Sequence, residues 1–200
     1  MAALLLERFE SLGLDPIDLE LAAGECTALA GPSGSGKSLL LRAIADLDPH
    51  TGDVLIDRQR QSELPAPRWR RMVGLLPAES FWWDDMVGAH FPNPDKQTLQ
   101  QLGFSHEVLG WEVSRLSTGE RQRLALARLL SGRPEALLLD EATANLDQQN
   151  TRRVEQLIES YRQQTKAAVL WVSHDPEQRR RISGKSYVIT DRRLELEAWN

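Results

Sequence analysis

The residues Gly31-Pro32-Ser33-Gly34-Ser35-Gly36-Lys37-Ser38 carry the clearest chemistry in the chain. They fit the spacing G-x-x-x-x-G-K-[ST], in which each residue type has a physical task. Glycines let the backbone curl so that successive N–H groups point at phosphate oxygens. The Lys37 ammonium reaches the β- and γ-phosphates, and the Ser38 hydroxyl can ligate Mg2+. The helix that follows adds the positive end of its dipole. The flanks supply the context the motif needs. Cys26-Thr27-Ala28-Leu29-Ala30 reads as a short buried strand, and Leu39-Leu40-Leu41-Arg42-Ala43-Ile44-Ala45 as a helix. A surface turn has no use for Lys-Ser at its end. The pattern implies a nucleoside triphosphate site on residues 31–39.

Two further stretches end in polar residues where a ligand edge would lie. Glu135-Ala136-Leu137-Leu138-Leu139-Asp140-Glu141 is an apolar run closing on two acids, and Ala167-Ala168-Val169-Leu170-Trp171-Val172-Ser173-His174 closes on a polar pair. Short aliphatic runs buried on both faces, with functional groups at their carboxyl ends, belong to a parallel α/β sheet. A helix is expected over Ser117–Leu130, with Ser117 as N-cap and Glu120 completing a capping box.

The rest of the chain must hold these pieces. Stretches 3–9, 17–21 and 53–57 alternate or run apolar between turn signals and predict a small antiparallel β-subdomain. A short helix is expected around 68–72, then a buried strand at 73–76. Stretch 80–115, interrupted by Pro92-Asn93-Pro94, predicts a compact and mainly helical insertion. An amphipathic helix follows at 147–164. A terminal hairpin is expected from Tyr187–Thr190 and Leu194–Ala198.

A net charge of −5 argues against a nucleic-acid partner. The clusters Arg68-Trp69-Arg70-Arg71 and Arg179-Arg180-Arg181 are expected on solvated helix faces. Cys26 has no second cysteine to pair with and reads as a small core residue in a reducing compartment. No apolar run approaches the ~18–20 residues that cross a bilayer. Ala2-Ala3-Leu4-Leu5-Leu6 meets Glu7 with no basic residue before it, so no signal peptide is expected. The expected location is cytoplasmic, with any membrane role arising peripherally through a partner.

Leu116-Ser117-Thr118-Gly119-Glu120 turns these pieces into a family. The whole chain resembles the nucleotide-binding subunit of an ATP-binding-cassette (ABC) transporter. Gly31 to Ser38 match its Walker A loop, Leu116 to Glu120 its LSGGQ signature, and Leu137 to Glu141 its Walker B strand. Ala144-Asn145-Leu146-Asp147 match its D-loop and His174 its switch histidine. The resemblance implies a P-loop NTPase fold of α/β class: a mainly parallel core sheet with flanking helices, the small antiparallel β-subdomain and a compact helical subdomain. It implies one domain over 1–200, with about 80–130 inserted as the helical subdomain.

The resemblance also implies roles. ATP would contact Gly31, Pro32, Ser33, Gly34, Ser35, Gly36, Lys37, Ser38 and Leu39, with Mg2+ on Ser38 and Asp140. Glu141 would activate water, and His174 and Lys37 would hold the γ-phosphate. Ser117, Thr118, Gly119 and Glu120 would reach that phosphate from a second copy of the chain, in a homodimer. A separate integral-membrane permease is the other implied partner. Phe81-Trp82-Trp83 would dock it, or else would fill the insertion's core.

The match has departures. Ala78 stands where the family has its Q-loop glutamine, so metal coordination would rest on Ser38, Asp140 and water, or on Glu79 as a substitute. Thr118 replaces the first signature glycine, which its Cβ permits only at negative φ. Phe9 is the nearest candidate for the aromatic that stacks on adenine. Residues 150–154 and 168–175 look like the Fet-type iron-export ATPase, implying an exporter of metal. Two alternatives stand beside transport: a mechanical cassette ATPase without a permease, and a weakly active ATP-clamped pseudo-ATPase.

Overall fold

The computed structural model describes residues 4–198. Its centre is a six-stranded sheet made of β3 (Cys26–Ala30), β6 (Val73–Leu76), β7 (Ala136–Asp140), β8 (Ala168–Val172), β9 (Lys185–Thr190) and β10 (Arg193–Leu196). The order is β10-β9-β3-β8-β7-β6. All neighbours are parallel except the β9–β10 hairpin. Every residue of β3, β7 and β8 is buried, as expected for strands covered on both faces.

Strand periodicity splits these residues between two cores. Leu138, Ala168, Leu170 and Val172 face one core, whereas Leu137, Leu139, Val169 and Trp171 face the other. The first core is closed by α1 (Lys37–Ile44) and by a second, antiparallel sheet. That sheet holds β1 (Leu4–Ser11), β2 (Ile17–Leu21), β4 (His50–Ile56) and β5 (Gln59–Arg60) in the order β2-β1-β4-β5. Trp69, on α2 (Ala66–Met72), is fully buried, and its indole N–H donates to the Ile44 carbonyl at 2.9 Å. It thereby satisfies an orphan acceptor at the end of α1.

The second core lies under α4 (Thr118–Ser131) and α5 (Gln148–Thr165). The stretch expected to be a mainly helical insertion holds one α-helix before α4, namely α3 (Lys96–Gln101). The remainder is single 3-10 turns at Val87–His90, His106–Gly110 and Val113–Arg115. Proline and glycine break this segment too often for longer helices.

A sixth helix, α6 (Pro176–Ile182), follows β8 and corrects one expectation. Arg179 does not sit on a solvated face. It is buried, its guanidinium paired with Glu197 at 2.8 Å and donating to the Ser173 carbonyl at 3.1 Å. A seven-residue helix opening on Asp175-Pro176 lies below the length at which periodicity can be read. Cys26 is buried as expected, and burial pushes its thiol up to about 12.

Register fixes where the functional groups emerge. Leu29 pairs with Val172 and Val172 with Asp140, so these three residues form one row across the sheet. The chain leaves that row at the carboxyl ends of β3, β8 and β7, beside the point where strand order reverses around β3. In open α/β sheets that edge is where ligands bind.

Candidate functional site

From β3 the chain passes directly into residues 31–36 and enters α1 at Lys37. Gly31 has a φ of +147° and lies so close to β9 that a Cβ would stand 2.8 Å from the Ile189 carbonyl oxygen. Gly36, at φ +98°, makes the left-handed step into the helix. The Lys37 ammonium lies inside the loop, donating to the carbonyls of Gly31 at 2.9 Å and Pro32 at 2.8 Å. Burial lowers its pKa, and the nearby Glu141 and Asp140 act against that shift. Ser38 hydrogen-bonds the buried Asp140 carboxyl, which burial raises and this bond lowers.

These residues fit a polyphosphate. The Ser35 hydroxyl is buried without a hydrogen-bond partner, inside a loop whose backbone is bent by three glycines at positive φ. They also fit Mg2+. Among the described residues no group of three or more His, Cys, Asp or Glu could hold a metal. A small hard cation held by one hydroxyl, one carboxylate, phosphate oxygens and water needs no such cage.

Beyond Asp140 the backbone bends sharply. Glu141 has a φ of +51°, and its N–H donates to the Val172 carbonyl at 3.2 Å. This left-handed step is costly for a residue with a Cβ, the kind of strain that functional loops retain. It brings Glu141 Oε1 within 2.9 Å of His174 Nε2. The two residues singled out at separate strand ends are therefore in contact, one strand away from the phosphate loop.

The Ser117 cap lies elsewhere. Glu120 N–H donates to Ser117 Oγ at 3.3 Å, and the Ser117 N–H and hydroxyl both donate to Glu120 Oε2, at 2.9 and 2.7 Å. This is the expected capping box. Thr118 is the first residue of α4 and lies outside the positive-φ set, so its Cβ meets no backbone penalty. Gly119 packs on the next loop, where an added Cβ would stand 3.0 Å from Leu146 Cδ2. Ser117, Thr118, Gly119, Glu120 and Asp147 help line a cleft of about 360 Å³, to which no residue of 31–39 contributes.

A larger cleft, about 670 Å³, opens beside the phosphate loop between Leu12, Gly13, Leu39, Ala43 and His50. It corrects the expectation for Phe9. That ring is fully buried and stacked on His50 at 4.9 Å, closed off from any base. Leu12, 78% exposed at the end of β1, is the apolar surface that the cleft offers instead. A search for an aromatic residue could not have found it.

Ala78 and Glu79 are exposed on the loop after β6. Gln122 Nε2, from α4, donates to the neighbouring Pro77 carbonyl at 3.0 Å. Phe81 and Trp83 are 78% and 67% exposed, while Trp82 is half-buried against the second core. The Arg128 guanidinium lies 4.8 Å from each indole, and His90 meets both edge-on.

Residues 14–144 match the family described as ABC transporter. The chain belongs to that family. Two named relatives agree with the match. The aliphatic sulfonates import ATP-binding protein SsuB 3 of Nocardia farcinica is 37% identical over 185 residues, covering 89% of this chain and 71% of the relative. The probable iron export ATP-binding protein FetA of Escherichia coli is 34% identical over 178 residues, covering 82% and 79%. In other sulfonate-import relatives the chain spans about two thirds of the relative's length. A solved bacterial Atm1-family ABC exporter with ATP bound shares the fold, at TM-score 0.84 and 23% identity. It is covered over 97% of this chain and 38% of the exporter.

As an ABC ATP-binding subunit, the chain is an ATPase of the kind coupled to transport through membrane permease components. No helix among the described residues is long and apolar enough to cross a membrane.

Proposed function

We propose that two copies of this chain pair head to tail around two ATP molecules and drive a separate permease. The observation that carries this is the separation of the two half-sites. The phosphate loop, Asp140, Glu141 and His174 emerge along one sheet edge, whereas the Ser117 cap opens into a cleft no phosphate-loop residue lines. A phosphate held on one chain would meet Ser117, Thr118, Gly119 and Glu120 of another.

In that site the backbone of Gly31 to Ser38 and the Lys37 ammonium hold the phosphates, and Leu39 with Leu12 borders the base. Ser38 and Asp140 would hold Mg2+, which when bound offsets charge on the terminal phosphates. Glu141 accepts the proton of the attacking water. His174 Nε2, now on Glu141 Oε1, holds the γ-phosphate side and keeps the carboxylate aimed.

The permease reading draws support from Phe81 and Trp83, large rings left exposed on an Arg128–His90 base. It would hold the subunit at the cytoplasmic face of a membrane. The resemblance to iron export gives no cargo, because relatives named for sulfonate import and for iron export match at 37% and 34% identity.

Phosphate release by the purified chain with Mg2+ and ATP tests the reading. Glu141→Gln is expected to slow turnover by roughly 100- to 10,000-fold while ATP still binds. A wild-type rate no faster than the variant's would leave an ATP clamp in place of an ATPase.

A further inference from the structure

Behind Glu141 and His174, the two loops that present them meet at one buried amide. Gln178 lies on α6, 3% exposed. Its Oε1 accepts the Ser173 hydroxyl at 2.7 Å, and Ser173 Oγ in turn accepts the Asp175 N–H at 3.1 Å. These two residues flank His174. Thr143 Oγ1, two residues beyond Glu141, meets both ends of the amide: it accepts from Gln178 Nε2 at 2.8 Å and lies 3.1 Å from Oε1, to which it can donate. The same nitrogen donates to Glu155 Oε1 on α5 at 2.9 Å. Glu155 is a carboxylate held from behind by Arg181 through both its oxygens. Because that carboxylate only accepts, the amide nitrogen must face it and the amide oxygen must face Ser173.

We propose that Gln178 is a positioning residue for hydrolysis, holding the Glu141 loop and the His174 loop in one register. The inference rests on the roles proposed above for those two side chains. His174 is half-open and Glu141 about one-third open to solvent, at 50% and 32%, on backbone that has left the sheet ladder. Thr143, Ser173 and Gln178 are all buried, so the fixed geometry lies behind the reacting edge and not in it. Only a group that both donates and accepts fits here. A carboxylate at 178 could keep the bonds from the Ser173 and Thr143 hydroxyls but would face Glu155 as a like charge at hydrogen-bond distance. Moving the amide to 155 restores one donor and one carboxylate with their positions exchanged.

That exchange makes the test. Phosphate release, ATP affinity and amide hydrogen exchange are measured on the full chain for Gln178→Glu, Glu155→Gln and the pair together. Gln178→Glu is expected to lower kcat about ten-fold with KM and ATP affinity within about two-fold. Adding Glu155→Gln should return kcat to within about three-fold of the parent. Exchange should rise in both 141–147 and 173–176 for the single variant and fall back for the pair. Unchanged kcat in Gln178→Glu overturns the proposal. So does a variant that loses its fold and is not rescued by the exchange, since Gln178 is then ordinary packing. A wild-type chain that releases no phosphate would defeat the proposed function by itself. The exchange data alone would then decide Gln178: rises confined to α6 overturn it, and rises in both loops support it.

Discussion

Ser117 gives its N–H and its hydroxyl to the same oxygen of Glu120, at 2.9 and 2.7 Å, and so occupies the groups that a phosphate would need under the proposed pairing. Those bonds hold the Glu120 carboxyl below its ordinary value, first the hydroxyl and then the backbone N–H. The carboxylate is therefore an anion already seated at the positive end of α4. It favours the isolated helix and, in the proposed pair, would compete with an incoming γ-phosphate. Glu120→Gln should separate the two effects. The cap is expected to lose about 0.5 kcal/mol, seen as a drop of a degree or two in Tm without nucleotide. The ATP concentration that half-saturates pairing is expected to fall about three-fold, since an amide accepts the same bonds without repelling phosphate. Light scattering against ATP concentration measures the second effect. An unchanged or higher requirement would show that the carboxylate does not oppose the phosphate.

At the scale of elements, one buried clamp ties the carboxyl-terminal hairpin to α6. Arg179 on α6 meets Glu197 just beyond β10, and the Ser186 hydroxyl of β9 donates to the same carboxylate at 2.6 Å. Burial pushes the Glu197 carboxyl up, but the bonds from Arg179 and Ser186 outweigh it and hold the pKa below its ordinary value. An acid depressed in the folded state adds stability above its unfolded pKa and loses it as pH falls through the folded one. Glu197→Gln should therefore lower Tm at neutral pH, and the gap to wild type should close in acid below the ordinary glutamate range. A gap that stays constant with pH would assign the effect to packing. The arginine that makes this clamp was expected in solvent, because charge runs in sequence carry no sign of a partner eighteen residues on. Elements with a strong local signal were legible: the phosphate loop from its glycines, β7 and β8 from aliphatic runs ending in polar residues, and α4 from its capping box. What stayed hidden depends on register or reach. The Glu141–His174 contact follows from β7 pairing with β8, Gln178 sits on a helix too short to show a period, and Phe9 is buried while Leu12 lines the open cleft.

At the scale of the whole molecule, the proposed site has two halves that only pairing would join. Ser117 stands in a cleft with Asn145 and Asp147 that no residue of 31–39 lines, so under the proposal a chain acting alone would hold ATP without the groups that close over it. Head-to-tail pairing by a two-fold axis gives two equivalent sites, each with one phosphate loop and the other chain's cap. A mixing experiment follows from that geometry. Lys37→Ala disables a chain's own phosphate loop, and Ser117→Arg disables its own cap, so each variant alone has two defective sites. In a mixed pair one site carries both defects and the other carries neither. Random association of equal amounts makes about half the pairs mixed, each with one working site of two. If the sites act independently, about a quarter of wild-type phosphate release should return on mixing, while each variant alone stays near background. Recovery should also fall on dilution, since the pair must re-form. For sites that act independently, no recovery at concentrations where wild type is active would mean that the two defects lie in one site on one chain, and head-to-tail pairing would have to be abandoned.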